Sequence, residues 1–171
     1  GHAAPTWIVC GAGTGGTSAT IGRFLRYRRL PTRLCVAEPR GSAFVHGWLA
    51  HRAGGRWDGS PAASPTCIEG IGRQRLEPGF MFDVVDAVIE VDDSDSIQCM
   101  LDLEATLGER FGGSSGTNLA ACLQLASRMR ARGECGSIVS LLCDRGERYA
   151  ETLYDPQWRL ARGLAPIVPV Q

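Results

Sequence analysis

The sequence predicts an α/β fold in which helices flank a parallel sheet. A short buried-strand pattern at 6–10 is followed at once by a glycine-rich turn, and residues 17–29 then show a helical pattern. A second strand follows at 32–37. Strand, tight turn, helix and strand in this order make a βαβ unit, whose two strands lie parallel.

The spacing of apolar residues describes the faces of these elements and the segment that follows them. The predicted helix 17–29 has one apolar face, formed by Ile21, Phe24 and Leu25. The strand at 32–37 has alternating faces and ends at Glu38. Residues 40–65 contain glycines, prolines and two tryptophans without clear periodicity, which predicts a long loop that is functional or covered by a partner.

The sequence pattern of the second half of the chain predicts two helices between two strands. A strand at 87–91 leads into a helix that extends to Phe111. Polar residues offer its N-cap and glycines end it: Asp92, Asp93 and Ser94, then Gly112 and Gly113. A helix at 114–132 has an apolar face made of Leu119, Cys122, Leu123, Ala126 and Met129. The apolar run at 137–143 is typical of a strand covered on both faces, and a short helix begins near Glu147.

The size and composition indicate an ordinary soluble domain. A chain of 171 residues predicts a single domain, 1–171, with a substantial core. We divide it into a βαβ unit at 1–38, a loop-rich segment at 39–80 and an α/β remainder at 81–171. The formal net charge of zero argues against a nucleic-acid partner, and no apolar stretch is long enough to predict a membrane span.

The reactive side chains exclude several chemistries. Seven widely spaced cysteines, none in a Cys-x-x-Cys pair, predict free thiols in a reducing cytoplasm, and the three histidines have no ligand cluster, so no metal site is predicted. Lysine is absent, and all 18 basic residues are arginine, a bias that a GC-rich genome also produces. Its absence excludes any reaction that needs an amine side chain of this chain.

The glycine-rich turn permits more than one interpretation. The run from Gly11 to Gly16 satisfies G-x-G-x-x-G, and Glu38 stands where a ribose-binding acid would stand, so an NAD(P)- or FAD-binding Rossmann oxidoreductase is one interpretation. A plain βα turn is another. Thr14 and Thr17 add hydroxyl donors, which suit a phosphomonoester with about −1.5 to −2 charge. We therefore favour a ligand of the pyridoxal phosphate type at Gly13, Thr14, Gly15, Gly16 and Thr17.

Three further segments have the order and spacing of motifs found in a known family. They are Glu69-Gly-Ile-Gly72, Gly112-Gly-Ser-Ser-Gly116 and 137–149, and they follow the loop at 13–17. Together they resemble the C-terminal half of the cysteine synthase/cystathionine β-synthase family, pyridoxal-phosphate enzymes of the tryptophan synthase β-like fold (fold type II). The form found here is similar to cysteine desulfhydrase-like members from actinobacteria. The resemblance implies the larger domain of such an enzyme, incomplete at its N-terminus.

The resemblance implies roles for eight residues. The cofactor phosphate is held by Gly13, Thr14, Gly15, Gly16 and Thr17; Ser114 bonds the pyridine nitrogen; Gly70 and Gly72 line the substrate side. Ser114 or Ser115 would serve equally as a helix N-cap, and the two glycines as ordinary turns. A neutral hydroxyl at the ring nitrogen does not hold a proton there as a carboxylate would. This suits β-elimination or β-replacement on L-cysteine or O-acetylserine.

Departures from the family leave synthase and desulfhydrase activity open. Arg73-Gln-Arg-Leu-Glu-Pro78 replaces a segment that contains Phe and Pro in ordinary members. Cys143 stands where many relatives have proline, and the 40–65 loop carries Trp48 and Trp57.

The residues that react with the substrate in this family have no counterpart in the sequence. The family bonds the cofactor aldehyde to a lysine and holds the substrate carboxylate with a serine/threonine-asparagine loop. Neither is found, so we predict no catalytic residue in this chain. We expect a missing N-terminal half in the same protein, a partner chain that brings the lysine, or a non-catalytic binding module. The resemblance also implies a homodimer.

Overall fold

A computed structural model describes residues 4–59 and 65–164. Within these ranges four strands form one sheet in the order β3-β2-β1-β4, and all three neighbouring pairs are parallel. The strands are β1 (Trp7–Gly11), β2 (Arg33–Pro39), β3 (Ala87–Val91) and β4 (Ile138–Ser140). The predicted α/β class with a parallel sheet is confirmed.

Helices cover both faces of the sheet. The described part contains α1 (Gly16–Tyr27), α2 (Ala43–Arg52), α3 (Asp93–Leu107), α4 (Gly113–Ala131) and α5 (Pro156–Ala161). Alternate residues of the strands face opposite layers, so Val9 packs with Leu125 of α4. On the other face Val36 packs with Leu25 of α1. The two layers of helices therefore bury the sheet between them.

The central strand β2 is buried on both faces, which corrects the expectation of alternating faces. Leu34, Cys35, Val36 and Ala37 have no exposed surface. The cause is the position of β2 between β1 and β3, with helices on either side. On α1, in contrast, Phe24 is 54% exposed, so the predicted apolar face is wrong at that position.

The predicted loop at 40–65 contains a helix, α2. Ser42 is its N-cap, and the Ser42 hydroxyl accepts a hydrogen bond from the N–H of Phe44. Gly47 lies in the middle of α2, where a Cβ would come within 2.6 Å of the Leu76 side chain. Glycine weakens a helical pattern in the sequence, but here it permits close packing.

The two glycines predicted to end the third helix instead begin the fourth. The third helix, α3, ends at Leu107, because Gly108 adopts the left-handed conformation with φ 72°. Gly112 is the N-cap residue of α4 and Gly113 its first residue. The apolar face predicted for α4 is also wrong in part, since Leu123 and Ala126 are exposed.

The apolar run at 137–143 is not a strand covered on both faces. Only Ile138–Ser140 forms a strand, and β4 lies at one edge of the sheet within the described residues. Val139 and Leu142 are 48% and 51% exposed. The helix predicted near Glu147 is a single 3-10 turn, Glu147–Tyr149.

The cysteines and the potential metal ligands can be followed through the described residues. All seven cysteines lie in the described ranges and are free thiols. Across 4–59 and 65–164 there is no group of three or more His, Cys, Asp or Glu side chains placed to hold a metal ion. In the same ranges no helix combines the length and the apolar composition that a membrane span requires.

Candidate functional site

The site begins at the loop that joins β1 to α1. Gly15 has φ 85°, a left-handed conformation that favours glycine. A Cβ at Gly15 would also lie 2.6 Å from the backbone nitrogen of Phe80. Both constraints require glycine here, so the loop turns sharply and α1 begins at Gly16.

The N-terminus of α1 is open to solvent and has no competing side chain. No side chain within the described ranges caps it, and its first turn contains no acidic residue. Thr14, Gly16 and Thr17 are exposed. The first N–H groups of a helix carry partial positive charge and attract anions. An anion at this end of α1 would meet backbone N–H groups flanked by two threonine hydroxyls.

The glycine loop packs directly on the second predicted glycine segment. A Cβ at Gly13 would lie 2.6 Å from the carbonyl oxygen of Gly70. In addition, Nε of Arg73 donates a hydrogen bond to the Gly13 carbonyl at 3.0 Å. The structure thus brings together two segments that are nearly 60 residues apart in the sequence.

A cavity of about 320 Å³ lies between these segments and the N-terminal end of α4. Three of the predicted site residues line it: Gly13, Gly70 and Ser114. Thr14, Gly15, Gly16 and Thr17 are not among its lining residues; they form the adjoining loop and helix start. Gly72 does not line it either, and instead packs against Thr66 and Pro39.

The two serines at the start of α4 have different environments. Ser115 is fully buried, and its hydroxyl accepts a hydrogen bond from the N–H of Cys143 at 2.8 Å. Ser114 is 9% exposed and lines the cavity. Neither is the N-cap of α4, because that residue is Gly112. Of the two hydroxyls, only that of Ser114 belongs to a residue that lines the cavity.

Asn118, one turn after Ser114, was not predicted from the sequence. It is 1% exposed, and its Nδ2 donates to the carbonyl oxygen of Leu141 at 3.0 Å. Its Oδ1 has no hydrogen-bond partner within the described ranges. The signal in the sequence is an amide four residues after Ser114, since i and i+4 share a helix face. Asn118 fixes α4 against the segment that follows β4.

The far wall of the cavity is polar. The Tyr149 hydroxyl donates to Oδ2 of Asp144 at 2.7 Å, and burial together with this carboxylate raises the pKa of Tyr149. Arg148 and Glu69 form an ion pair at 2.7 Å. All four residues line the cavity. Nothing in the sequence pattern assigns a role to these four side chains.

Glu38 does not occupy the position that a dinucleotide would require. Its side chain has no exposed surface and accepts hydrogen bonds from the Ala12 N–H, the Ser42 hydroxyl and the Gly72 N–H. A ribose hydroxyl has no access to a carboxylate enclosed in this way. The geometry therefore contradicts the role of Glu38 as a ribose-binding acid.

Burial raises the pKa of Glu38 to about 7, against the lowering effect of its hydrogen bonds to Ser42, Ala12 and Gly72. The folded state thus keeps this proton to a higher pH than the unfolded chain does. The stabilising contribution is complete below the ordinary pKa of 4.5 and is lost as the pH rises through about 7.

Comparison with known proteins identifies the family. The family model for pyridoxal-phosphate dependent enzymes matches residues 1–144. The chain belongs to this family. The resemblance to cysteine synthases and desulfhydrases is confirmed as well, and the dinucleotide interpretation is not favoured.

Two relatives in this family show which enzymes the chain is similar to. It is 49% identical to the L-cysteine desulfhydrase Cds1 of Mycobacterium tuberculosis over 98% of its own length and 44% of that protein. It is 31% identical to cysteine synthase 2 of Schizosaccharomyces pombe, over 95% of the chain and 42% of the relative. The chain therefore spans less than half of the length of these relatives.

A solved structure supports the fold assignment. The crystal structure of O-ureido-L-serine synthase matches with a TM-score of 0.72 and 28% sequence identity. The match covers 90% of this chain and 44% of that one. The predicted class, the larger domain of a fold type II enzyme present in part, is confirmed.

The residues present fit pyridoxal phosphate. The uncapped start of α1 suits a phosphate monoester, and the adjoining cavity presents Ser114 to a ring. Gly13 belongs to both, because it lies in the loop and lines the cavity. The cofactor aldehyde has no amine side chain to bond here, since the chain contains no lysine.

Proposed function

We propose that this chain is the phosphate- and ring-binding part of a pyridoxal-phosphate enzyme that removes or replaces the β-substituent of L-cysteine or O-acetylserine. The observation that carries the proposal is the convergence of Gly13, Gly70 and Ser114 on one cavity beside the open start of α1. The identity of 49% to a cysteine desulfhydrase, against 31% to a cysteine synthase, supports elimination over synthesis.

The chain's own residues bind and orient the cofactor. The backbone N–H groups and hydroxyls of the loop hold the phosphate: Gly13, Thr14, Gly15, Gly16 and Thr17. Ser114 faces the pyridine nitrogen and fixes the ring, while Gly70 and Gly72 belong to the substrate-side segment. When bound, the cofactor supplies the electron sink for bond breaking next to the amino acid's α-carbon.

Ser114 sets the protonation state of the ring. A serine hydroxyl is neutral and does not hold a proton on the pyridine nitrogen, whereas a carboxylate would. A cofactor held by Ser114 in this way would be a weaker electron sink, which would disfavour transamination and racemisation. Rapid loss of a β-substituent is the reaction class that this arrangement favours.

The lysine comes from outside these 171 residues. The relatives are more than twice as long as the region that matches, which supports a further N-terminal part in the same protein or in a partner chain. We propose further that the whole protein is a cytoplasmic homodimer. Within this chain we propose the three parts 1–38, 39–80 and 81–171. In it, the segment at 39–80 supplies the substrate side.

A ligand and product assay of the full-length protein tests the function. We expect binding of pyridoxal phosphate but not of NAD, and release of sulfide and pyruvate from L-cysteine. Conversion of O-acetylserine and sulfide to cysteine at a higher kcat/KM would assign a synthase instead. Preference for NAD, or cofactor binding without turnover of either amino acid, would contradict the proposal; the second result identifies a binding module.

A further inference from the structure

A fully buried carboxylate stands behind the site, at the carboxyl end of β2. Glu38 has no exposed surface. Its register partner on β3 is Glu90, which is exposed and accepts a hydrogen bond from the N–H of Gly41. Two glutamates therefore lie side by side on neighbouring strands, one enclosed and one in solvent. Burying a carboxylate is costly unless it is hydrogen-bonded.

Three separate segments donate to this one carboxylate. Oε1 of Glu38 accepts from the Ala12 N–H at 2.8 Å, and Oε2 accepts from the Ser42 hydroxyl at 2.6 Å and the Gly72 N–H at 3.3 Å. Every contact comes from a donor. An ionised carboxylate accepts from all three donors, and hydrogen bonds to a charged acceptor are stronger than those to a neutral one. A protonated side chain would instead donate its O–H to the Ser42 hydroxyl and hold the two backbone N–H groups less strongly.

Two of the three donors belong to the two loops that border the cavity. Ala12 directly precedes Gly13, and Gly72 lies two residues after Gly70. Gly13 and Gly70 are the two residues that meet at the cavity. One carboxylate thus connects the glycine loop to the substrate-side segment through hydrogen bonds with Ala12 and Gly72.

We propose that Glu38 is a positioning residue for the cofactor phosphate: in its ionised form it fixes the glycine loop against the segment that contains Gly70 and Gly72. The proposal rests on the proposed function, because it assumes that the glycine loop receives the phosphate. Loss of the ionised form loosens both loops together and weakens cofactor binding.

The surroundings of Glu38 allow it to change state near neutral pH. Arg73 lowers the pKa of Glu38. The Cys10 thiol on β1 is itself buried, and its burial together with the Glu38 carboxylate raises the pKa of Cys10. Ser42 at the start of α2 and Gly72 contribute neutral donors. Burial outweighs these effects and places the pKa at about 7. Glutamine resembles the protonated state in shape and charge.

The test compares Glu38→Gln with Glu90→Gln in the full-length protein, with pyridoxal phosphate as the probe. The readout is the dissociation constant, measured by absorbance titration of the cofactor-free protein at pH 8 and pH 6. We expect Glu38→Gln to bind about tenfold more weakly than wild type at pH 8, the effect of one lost hydrogen bond to a charged group. At pH 6 the two proteins converge, because wild-type Glu38 is then protonated. Glu90→Gln stays within about twofold of wild type at both pH values.

Other results overturn the proposal. A Glu38→Gln protein that binds like wild type at pH 8, or a ratio of affinities that does not change with pH, excludes a positioning role for the ionised side chain. If Glu38→Gln does not fold, Ser42→Ala removes one donor and should weaken binding at pH 8 by a smaller factor; unchanged affinity contradicts the proposal. Wild-type protein that binds no pyridoxal phosphate is a different failure, that of the proposed function.

Discussion

Replacing Thr14 and Thr17 together with alanine is expected to weaken pyridoxal phosphate binding by about two to four orders of magnitude. Each hydroxyl would donate one hydrogen bond to a phosphate that carries close to two charges, and such a bond contributes about 1.5–3 kcal/mol. Both residues are exposed at the open start of α1, so their loss removes ligand contacts and no core packing. Absorbance titration of the full-length protein measures the change.

Thr20→Ala is the matched control for this pair. Thr20 lies on the same helix and is also exposed, but it is one turn beyond the first N–H groups. We expect Thr20→Ala to bind pyridoxal phosphate with wild-type affinity. Neither Thr20→Ala nor the double variant should change the unfolding temperature. Wild-type cofactor affinity in the double variant would place the phosphate elsewhere.

Ser114→Asp is expected to lower kcat for β-elimination by about one to two orders of magnitude. An adjacent carboxylate shifts the pKa of a basic group by about 1–3 units toward the charged form. The ring nitrogen would then stay protonated, and the ring would hold negative charge longer. Deuterium exchange at the substrate's α-carbon should rise relative to product release, which NMR of the recovered amino acid measures.

Two control variants separate the charge effect from a general disturbance. Ser114→Ala removes the hydroxyl without adding charge and should reduce kcat less than the aspartate does. Ser127→Asp adds the same charge on an exposed position of the same helix and should have no effect. If Ser114→Asp turns over at the wild-type rate, the pyridine nitrogen does not face Ser114.

The elements that position the glycine loop were predictable because their patterns are local. The turn before α1 depends on Gly15, whose left-handed backbone explains why glycine occurs there. Strand β1 and helix α1 were predicted to within about two residues. The parallel pairing followed from their order, which leaves little choice of connection.

The errors arose where a neighbouring element decides the conformation. Gly47 weakens the helical pattern of α2, yet contact with Leu76 explains why a small residue lies there. The pattern predicts that Gly112 and Gly113 end α3, but Gly108 ends that helix first and the two glycines begin α4. The run at 137–143 is apolar enough for a covered strand, but within the described residues β4 is an edge.

The sequence predicts three of the residues that line the cavity, but not the contacts that support them. Gly13, Gly70 and Ser114 were predicted as separate motifs, and the structure places all three on one cavity. The spacing of Glu38 permits a ribose-binding role as one interpretation, because a sequence does not show that a carboxylate is buried. Its three donors come from positions 12, 42 and 72, and only the fold brings these together.

The central claim is that this chain holds the cofactor's phosphate and ring while another part of the protein holds its aldehyde. Borohydride reduction of the purified, cofactor-loaded protein, followed by peptide mass spectrometry, tests it directly. We expect one cofactor-modified lysine, on a peptide outside these 171 residues, in the same polypeptide or in one that co-purifies with it. A protein that binds pyridoxal phosphate and turns over L-cysteine with no modified lysine in any peptide would contradict the claim.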